Sequence, residues 1–127
     1  MGKHFLAGIL LLAVLLALTG GVSLAMGAVH APAQTQLTRA TELALAGDLP
    51  QATVLAQQAQ QRWERFRQAI CAVADHDPMD EIDQLFAEME VFSAAADGEH
   101  FAACCAKLRV LVKAMADAHS AAWWNLL

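Results

Sequence analysis

An uncharged apolar run near the N-terminus constrains the fold of this chain more than any other feature. It reads FLAGILLLAVLLALTGGVSLAMGAV, extends from Phe5 to Val29 and contains no Asp, Glu, Lys or Arg. A helix needs about 20 apolar residues to cross the hydrocarbon core of a bilayer. The run therefore predicts a transmembrane anchor, with the lipid bilayer as the partner of Phe5 to Val29.

A cleaved signal peptide is the alternative interpretation of the same run. Its apolar core would end at Leu18, before a Thr-Gly-Gly break, and the small residues from Ser23 to Gly27 would offer a cleavage site. The retained anchor is favoured because apolar residues continue through this stretch for a full bilayer thickness. The sequence leaves open whether the segment is cut.

Charged residues near the run predict its orientation. Lys3 precedes it, and no Lys or Arg follows it until Arg39. The positive-inside rule therefore places the N-terminus in the cytoplasm and the rest of the chain outside. We expect residues 1–30 to form the cytoplasmic N-terminus and transmembrane anchor (or uncleaved signal), and residues 31–127 to form an exported helical domain. The predicted location is the cell membrane, crossed once.

The charge balance narrows the range of partners. The chain has 13 Asp and Glu residues against 8 Lys and Arg residues, a formal net charge of −5. This excess of acids argues against nucleic acid and against an anionic membrane surface as electrostatic partners. Besides the bilayer, the predicted partner is therefore another protein of unknown identity.

Helix signals divide the rest of the chain after a predicted break at HAPAQ, residues 30–34. The first helix is predicted from Thr35 to Ala46, where Gly47 ends it and Asp48 caps the next. The following helices are predicted over Leu49–Ala74, from an Asp77 cap to about Asp97, and from about Phe101 onward. The predicted fold class is all-α: an N-terminal transmembrane helix followed by a small antiparallel four-helix up-and-down bundle.

Apolar side chains recur every three or four residues in the last three helices, which is typical of helices that bury one face in a bundle. The second helix would bury Ala52, Leu55, Ala56, Ala59, Trp63, Phe66, Ile70 and Val73. The third would bury Met79, Ile82, Leu85, Phe86, Met89 and Phe92. The fourth would bury Phe101, Cys104, Leu108, Leu111, Met115, Ala118 and Ala122.

The chain ends in an apolar AAWWNLL segment. An up-and-down bundle returns the C-terminus to the membrane, and Trp is enriched at the membrane–water interface. We expect Trp123 and Leu126 to close the end of the bundle and Trp124 to touch lipid headgroups, the first helix or a partner. The alternative is that Trp124 only covers a neighbouring helix.

The whole chain resembles a known bacterial family. After the anchor come ALAGDLPQATVLAQQAQQRWERFRQAI, then DHDPMDEIDQLFAEME, then a terminal NLL. Trp63, His76, Ile82-Asp83 and Asn125-Leu126-Leu127 carry a resemblance to the membrane-anchored family catalogued as domain of unknown function 4363. The family often has an acidic residue before its C-terminal signature, whereas this chain reads AHSAAWW there. The resemblance implies an anchored helical fold and supplies no site.

Seven acidic residues lie between positions 75 and 90 with no Lys or Arg among them. A calcium-binding EF-hand loop is rejected because Phe86 stands where the bidentate Glu is required. We expect instead helix-capping acids and ion-pair partners for the arginines of the preceding helix, Arg62, Arg65 and Arg67. Arg65 would lie opposite Glu88, and Arg62 opposite Glu90. Such exposed pairs contribute about 0–1 kcal/mol each.

Cysteines supply the alternative function, a thiol- or metal-dependent sensor that uses Cys71, Cys104 and Cys105. His100 lies one turn before Cys104, so both share a helix face. No C-x-x-C motif is present, and adjacent cysteines on a helix point about 100° apart. Ordinary core cysteines, or one Cys71–Cys104 or Cys71–Cys105 disulfide, are the other interpretations.

The sequence contains no nucleophile–base pair, carboxylate dyad or cofactor-binding loop. We therefore predict no enzyme activity and no catalytic, cofactor-binding or metal-ligating residue. The expected function is that of a membrane-anchored extracytoplasmic interaction or scaffold protein.

Overall fold

The computed structural model describes the backbone of residues 2–70 and 76–124, and the side chains in these ranges except at positions 19, 22, 23, 25–29, 70, 76 and 119–124. The described part of the chain consists of four helices and contains no strand. They are α1 (Gly2–Leu45), α2 (Leu49–Ile70), α3 (His76–Ala94) and α4 (Gly98–Trp124). The all-α prediction is thereby confirmed.

The helix break predicted at HAPAQ is wrong, because α1 runs through Pro32 without interruption. A proline inside a helix removes one backbone hydrogen bond and costs about 3 kcal/mol. Tertiary packing offsets this cost, since His30 and Ala33 on either side of Pro32 are buried. The predicted anchor and the predicted first helix are therefore one 44-residue helix.

Neighbouring helices are antiparallel. Three-residue turns join α1 to α2 and α3 to α4. The contacts Thr53–Ser93 and Arg67–Asp80 run in opposite order along α2 and α3. Gln36 of α1 donates its amide N–H to Gln58 of α2 at 3.2 Å, and Arg109 of α4 donates to the Thr38 hydroxyl at 3.4 Å. The Thr53 and Ser93 hydroxyls join α2 to α3 at 2.8 Å. Helix α1 packs most extensively against α2 and α4, and α3 packs mainly against α4. The four helices form an up-and-down bundle.

The core lies between these helices and follows the predicted stripes closely in α2 and α3. The described buried residues there are Ala52, Ala56, Ala59, Trp63, Phe66, Met79, Ile82, Leu85, Phe86 and Met89, while Leu55 and Phe92 are half-buried. Ile70 and Val73 lie outside the described side chains. Helix α1 adds Leu37, Ala40 and Ala44, which no predicted stripe included.

The stripe predicted for α4 is partly wrong. Ala118 is exposed and Leu111 is only half-buried, whereas Cys105 and Val112 are buried. Helix α4 packs against both α1 and α3. Its buried face is therefore wider than the single seam that a spacing of three and four describes.

Two turns with the same hydrogen-bond pattern join α1 to α2 and α3 to α4. In the first, the Gly47 N–H donates to Ala44 and the Asp48 N–H donates to Leu43, a Schellman motif. The second repeats it, with the Ala96 N–H donating to Ser93 and the Asp97 N–H to Phe92. Each turn then ends in an aspartate whose carboxylate caps the next helix.

The two turns differ at the residue in the left-handed conformation. This residue is Gly47 in the first turn, with φ of 88°, and Ala96 in the second, with φ of 54°. A side chain with a Cβ atom is strained at such angles, whereas glycine is not. Gly47 confirms the predicted helix end, and Ala96 marks a strained position that the sequence did not indicate.

Replacing Ala96 with glycine is expected to stabilise the bundle by about 0.5–1 kcal/mol, because glycine removes the strain at positive φ. The measurement is urea unfolding followed by far-UV circular dichroism. Ala95→Gly is the matched control, since the neighbouring exposed alanine has no positive φ, and this change should destabilise by a similar amount. Equal destabilisation by both substitutions would contradict the assignment of strain to Ala96.

Candidate functional site

A polar network joins α2 to α3 at the buried edge of Trp63. The indole Nε1–H of Trp63 donates to Asp83 Oδ1 at 2.7 Å. Asp83 Oδ2 also lies 2.7 Å from Arg67 Nε, and Arg67 reaches Asp80 at 3.1 Å. One guanidinium therefore binds two carboxylates, one of which also accepts from the buried indole. This arrangement sets the register between α2 and α3.

The ion pairing predicted for Arg67 at this interface is confirmed, whereas the pairs predicted for Arg62 and Arg65 are wrong. Among the described residues, Arg62 and Arg65 form no ion pair with Glu90 or Glu88. Gln60 donates to Glu90 instead, at 3.1 Å. Arg62 and Arg65 are exposed, whereas Trp63 occupies the buried position on this stretch of α2.

Asp77, predicted as the cap of the third helix, lies inside the first turn of α3, because α3 begins at His76. Asp80 and Asp83 are the α3 acids that pair with Arg67.

Two of the three cysteines of the predicted sensor, Cys104 and Cys105, are buried where α4 packs in the core. Cys104 and Cys105 are free thiols, 3% and 0% exposed. The Cys105 thiol donates to the Met89 sulfur at 3.8 Å. Cys71 lies outside the described residues, so neither predicted disulfide is tested. Both described cysteines are core side chains of the α3–α4 interface.

His100 does not join this cysteine pair. Its Nδ1 lies 2.7 Å from Asp97 Oδ2, and its ring stacks on Phe92 with centroids 5.1 Å apart. It therefore belongs to the cap of α4. Within the described residues, no group of three or more His, Cys, Asp or Glu side chains is arranged to hold a metal ion.

Burial controls the acidity of both thiols. It raises the pKa of Cys105 to about 12, with the neighbouring Cys104 thiol adding to the effect. Burial also raises the pKa of Cys104, where Glu88 adds to the increase and Lys107 opposes it. Thiolates are the reactive form of cysteine, so these positions favour the unreactive thiol.

The folded protein is expected to lose stability at alkaline pH through Cys105. Its folded pKa of about 12 exceeds the usual value of 9.0, so the thiol stabilises the fold below pH 9. That contribution is lost progressively as the pH rises towards 12, at about 1 kcal/mol per pH unit. Urea unfolding across this range should therefore show a shallower pH dependence for Cys105→Ala than for the wild type. Parallel profiles would contradict the role of this thiol.

An open groove lies between α3 and α4 on the outside of the bundle. Its volume is about 570 Å³. Helix α3 contributes Glu81, Gln84, Leu85 and Glu88, and α4 contributes Lys107 and Val110. Leu85, Ala106 and Leu111 add apolar lining. The charged residues of the two helices, two glutamates on α3 and one lysine on α4, are opposite in sign. Sequence reasoning missed this groove because no single helix contains it.

The N-terminal half of α1 projects beyond the bundle. The Gln36–Gln58 contact sets Ile70, the last described residue of α2, level with residue 24 of α1. The Arg109–Thr38 contact sets Trp124 level with residue 23. Residues 2–22 therefore extend past both described helix ends by about 30 Å, at 1.5 Å per residue. The C-terminal end of α4 lies where this segment leaves the bundle, as the up-and-down prediction required.

Large apolar side chains are exposed all around the projecting segment. They are Phe5, Leu6, Ile9, Leu10, Leu11, Leu12, Val14, Leu15, Leu16 and Leu18, with exposed fractions from 48% to 71%. Taken over the described residues, no helix combines the length and the hydropathy of a membrane span. The roles predicted for Trp123, Trp124 and Leu126 concern side chains outside the described set.

One buried histidine was not singled out by the sequence. His30 is 2% exposed, and its ring contacts Phe66 edge-on with centroids 5.2 Å apart. It lies on α1 six residues past the level at which the described part of α2 ends, so it belongs to the bundle and not to the projecting segment.

Comparisons with known proteins provide no assignment: no family model, no curated protein and no solved structure matches this chain. The candidate sites are therefore the two surfaces that the geometry itself defines, the projecting apolar segment and the α3–α4 groove.

Proposed function

We propose that this chain is a membrane-anchored extracytoplasmic helical protein that works by interaction or as a scaffold. The projecting segment, residues 2–22 of α1, would lie in the bilayer with the N-terminus in the cytoplasm. The bundle would stand outside and present its surface to a protein partner. Membership of the family catalogued as domain of unknown function 4363 is part of the same proposal.

The observation that carries the proposal is the exposed apolar surface of the projecting segment. A monomeric soluble protein rarely exposes a contiguous apolar patch of more than a few hundred Å². Here consecutive large side chains such as Leu10, Leu11 and Leu12 are each more than half exposed. Lipid is the environment that covers such a surface on all sides of one helix at once.

The length of the segment supports the same conclusion. Its rise of about 30 Å is close to the thickness of a bilayer's hydrocarbon core. Lys3, at its N-terminal end, is the only Lys or Arg within it, and the next along the chain is Arg39. This distribution supports a cytoplasmic N-terminus and an exported bundle.

Side-selective labelling tests the proposed orientation. A membrane-impermeant maleimide would be applied to intact spheroplasts that express Gln61→Cys, on the exposed face of α2, or Gly2→Cys, which leaves Lys3 in place, both in a Cys71→Ser background. We expect labelling of the Gln61→Cys variant in intact spheroplasts and of the Gly2→Cys variant only after lysis. The reverse pattern would overturn the orientation, and labelling of neither before lysis would overturn export of the bundle.

The thiol or metal sensor using Cys71, Cys104 and Cys105 is the alternative function. The structure gives it no specific support, because the described thiols are buried in the α3–α4 interface. A serine substitution at all three cysteines should leave membrane association intact if the proposed function is right. Loss of a bound metal or of a redox-dependent change in the same variant would favour the sensor.

A further inference from the structure

The α3–α4 groove carries opposite charges on its two rims. The Cys105–Met89 contact sets Lys107 of α4 within one residue of the level of Glu88 of α3, and both residues line the groove. Helix α3 contains no Lys or Arg, and its groove rim presents Glu81 and Glu88 seven residues apart. One rim is therefore acidic and the facing rim carries a single cation.

These charges are not neutralised by close ion pairs within the described part of the chain. Lys107 and Glu81 take part in none of the ion pairs found there. Glu88 accepts one hydrogen bond, from Gln84 of its own helix at 3.5 Å. Beside Lys107, Val110 is 62% exposed although it borders the groove. An occupant of this groove should therefore be apolar in its middle and oppositely charged at its edges.

We propose that the occupant is a second copy of this chain, packed groove to groove about a two-fold axis parallel to the helices. Such an axis sets the α4 rim of each copy against the α3 rim of the other. Lys107 then meets the partner's Glu88, twice in the dimer, and the exposed Val110 is covered. The charge pattern is self-complementary in this arrangement.

The competing two-fold axis, perpendicular to the helices, sets α3 against α3. Glu81 and Glu88 would then face carboxylates of the same kind, which is unfavourable. It would also point the two projecting segments of α1 in opposite directions. Two chains held in one membrane must project the same way, so the parallel axis also follows from the membrane anchor proposed above, on which this inference depends.

Disulfide cross-linking in bacterial membranes tests the dimer with the full chain. Glu88→Cys and Lys107→Cys, each in a Cys71→Ser background and with a different tag, would be co-expressed and oxidised. We expect the mixed cross-link between the two variants to exceed either self cross-link several-fold, because only residues brought close can form a disulfide. Gln61→Cys, exposed on α2, is the control for random collisions.

Two outcomes of the cross-linking would overturn the inference. A dominant self cross-link of Glu88→Cys would show the perpendicular axis, and yields no greater than the Gln61→Cys control would show no dimer at this groove. Alkaline carbonate extraction of the same membranes reports on the anchor separately. Protein that stays in the membrane without a mixed cross-link refutes the dimer and leaves the anchor standing, whereas extracted protein with a mixed cross-link refutes the anchor.

Charge reversal provides a second, independent test. Lys107→Glu and Glu88→Lys should each raise the dimer dissociation constant by about tenfold in phosphatidylcholine vesicles, measured by energy transfer between labelled copies. The double variant restores both pairs with their charges exchanged and should recover the wild-type constant. Failure of the double variant to recover would overturn the pairing of Lys107 with the partner's Glu88.

Discussion

Replacing Trp63 with alanine is expected to lower the free energy of unfolding by about 3–5 kcal/mol, because the change empties a large volume in the core. Trp63 is 2% exposed and packs on Phe66 with ring centroids 5.8 Å apart. Its indole N–H also donates to Asp83, which binds Arg67. The substitution therefore removes packing and breaks the link between α2 and α3 together.

Two control variants separate these contributions. Trp63→Phe keeps a ring in the core but removes the donor, and should cost about 1–2 kcal/mol. Val54→Ala shortens a half-exposed side chain of the same helix and should cost no more than about 0.5 kcal/mol. Urea unfolding measured by far-UV circular dichroism gives all three values. An alanine variant no less stable than the phenylalanine variant would contradict the packing role of Trp63.

Introducing two arginines into the projecting segment is expected to release the protein from the membrane. Ile9 and Leu12 lie near its middle and are 50% and 59% exposed. An arginine at the centre of a membrane helix costs about 2.5–3.5 kcal/mol on insertion scales, so Ile9→Arg with Leu12→Arg removes most of the driving force for insertion. The measurement is the fraction of protein that resists alkaline carbonate extraction.

The matched control replaces the same two residues with alanine, which shortens the side chains without adding charge. This variant should remain in the membrane. Neither pair should unfold the bundle, because these positions lie before the level at which α2 and α4 begin to cover α1. Undiminished membrane retention of the arginine variant would contradict insertion of this segment, even if the alanine variant behaves as expected.

The parts of the fold that could be predicted from sequence are those determined within one helix or one turn. The apolar spacing in α2 predicted buried Ala52, Ala56 and Trp63, and the Gly47-Asp48 pair predicted the first turn. Local periodicity and capping chemistry depend only on neighbouring residues. Both are therefore readable without knowledge of the partner helices.

The errors arose where two helices determine the outcome. The HAPAQ stretch predicts a helix break, but α1 continues through it, with His30 and Ala33 buried. Cys105 was left out of the predicted stripe, yet it is buried because α4 has two neighbours. Asp83 pairs with Arg67 because of how α2 and α3 are rotated about their axes. The spacing of residues along one helix does not determine this rotation.

The two candidate surfaces also differ in this respect: one lies within a single helix, and the other is formed by two. The projecting segment was visible in the sequence as a continuous apolar run, and the structure adds that its side chains are exposed and that it rises beyond the bundle. The groove was not visible, since Glu88 and Lys107 come from different helices. The opposite charges of its two rims can be recognised only when α3 and α4 are seen packed side by side.

The most direct test of the central claim is the intact mass of the full-length protein expressed in a bacterium, measured together with its membrane partitioning. The anchored account predicts an uncut chain of 13.6 kDa that stays in the membrane fraction after alkaline carbonate extraction. A chain shortened by about 25 residues and recovered from the exported soluble fraction would contradict it. That result would show that the apolar run is a signal removed on export.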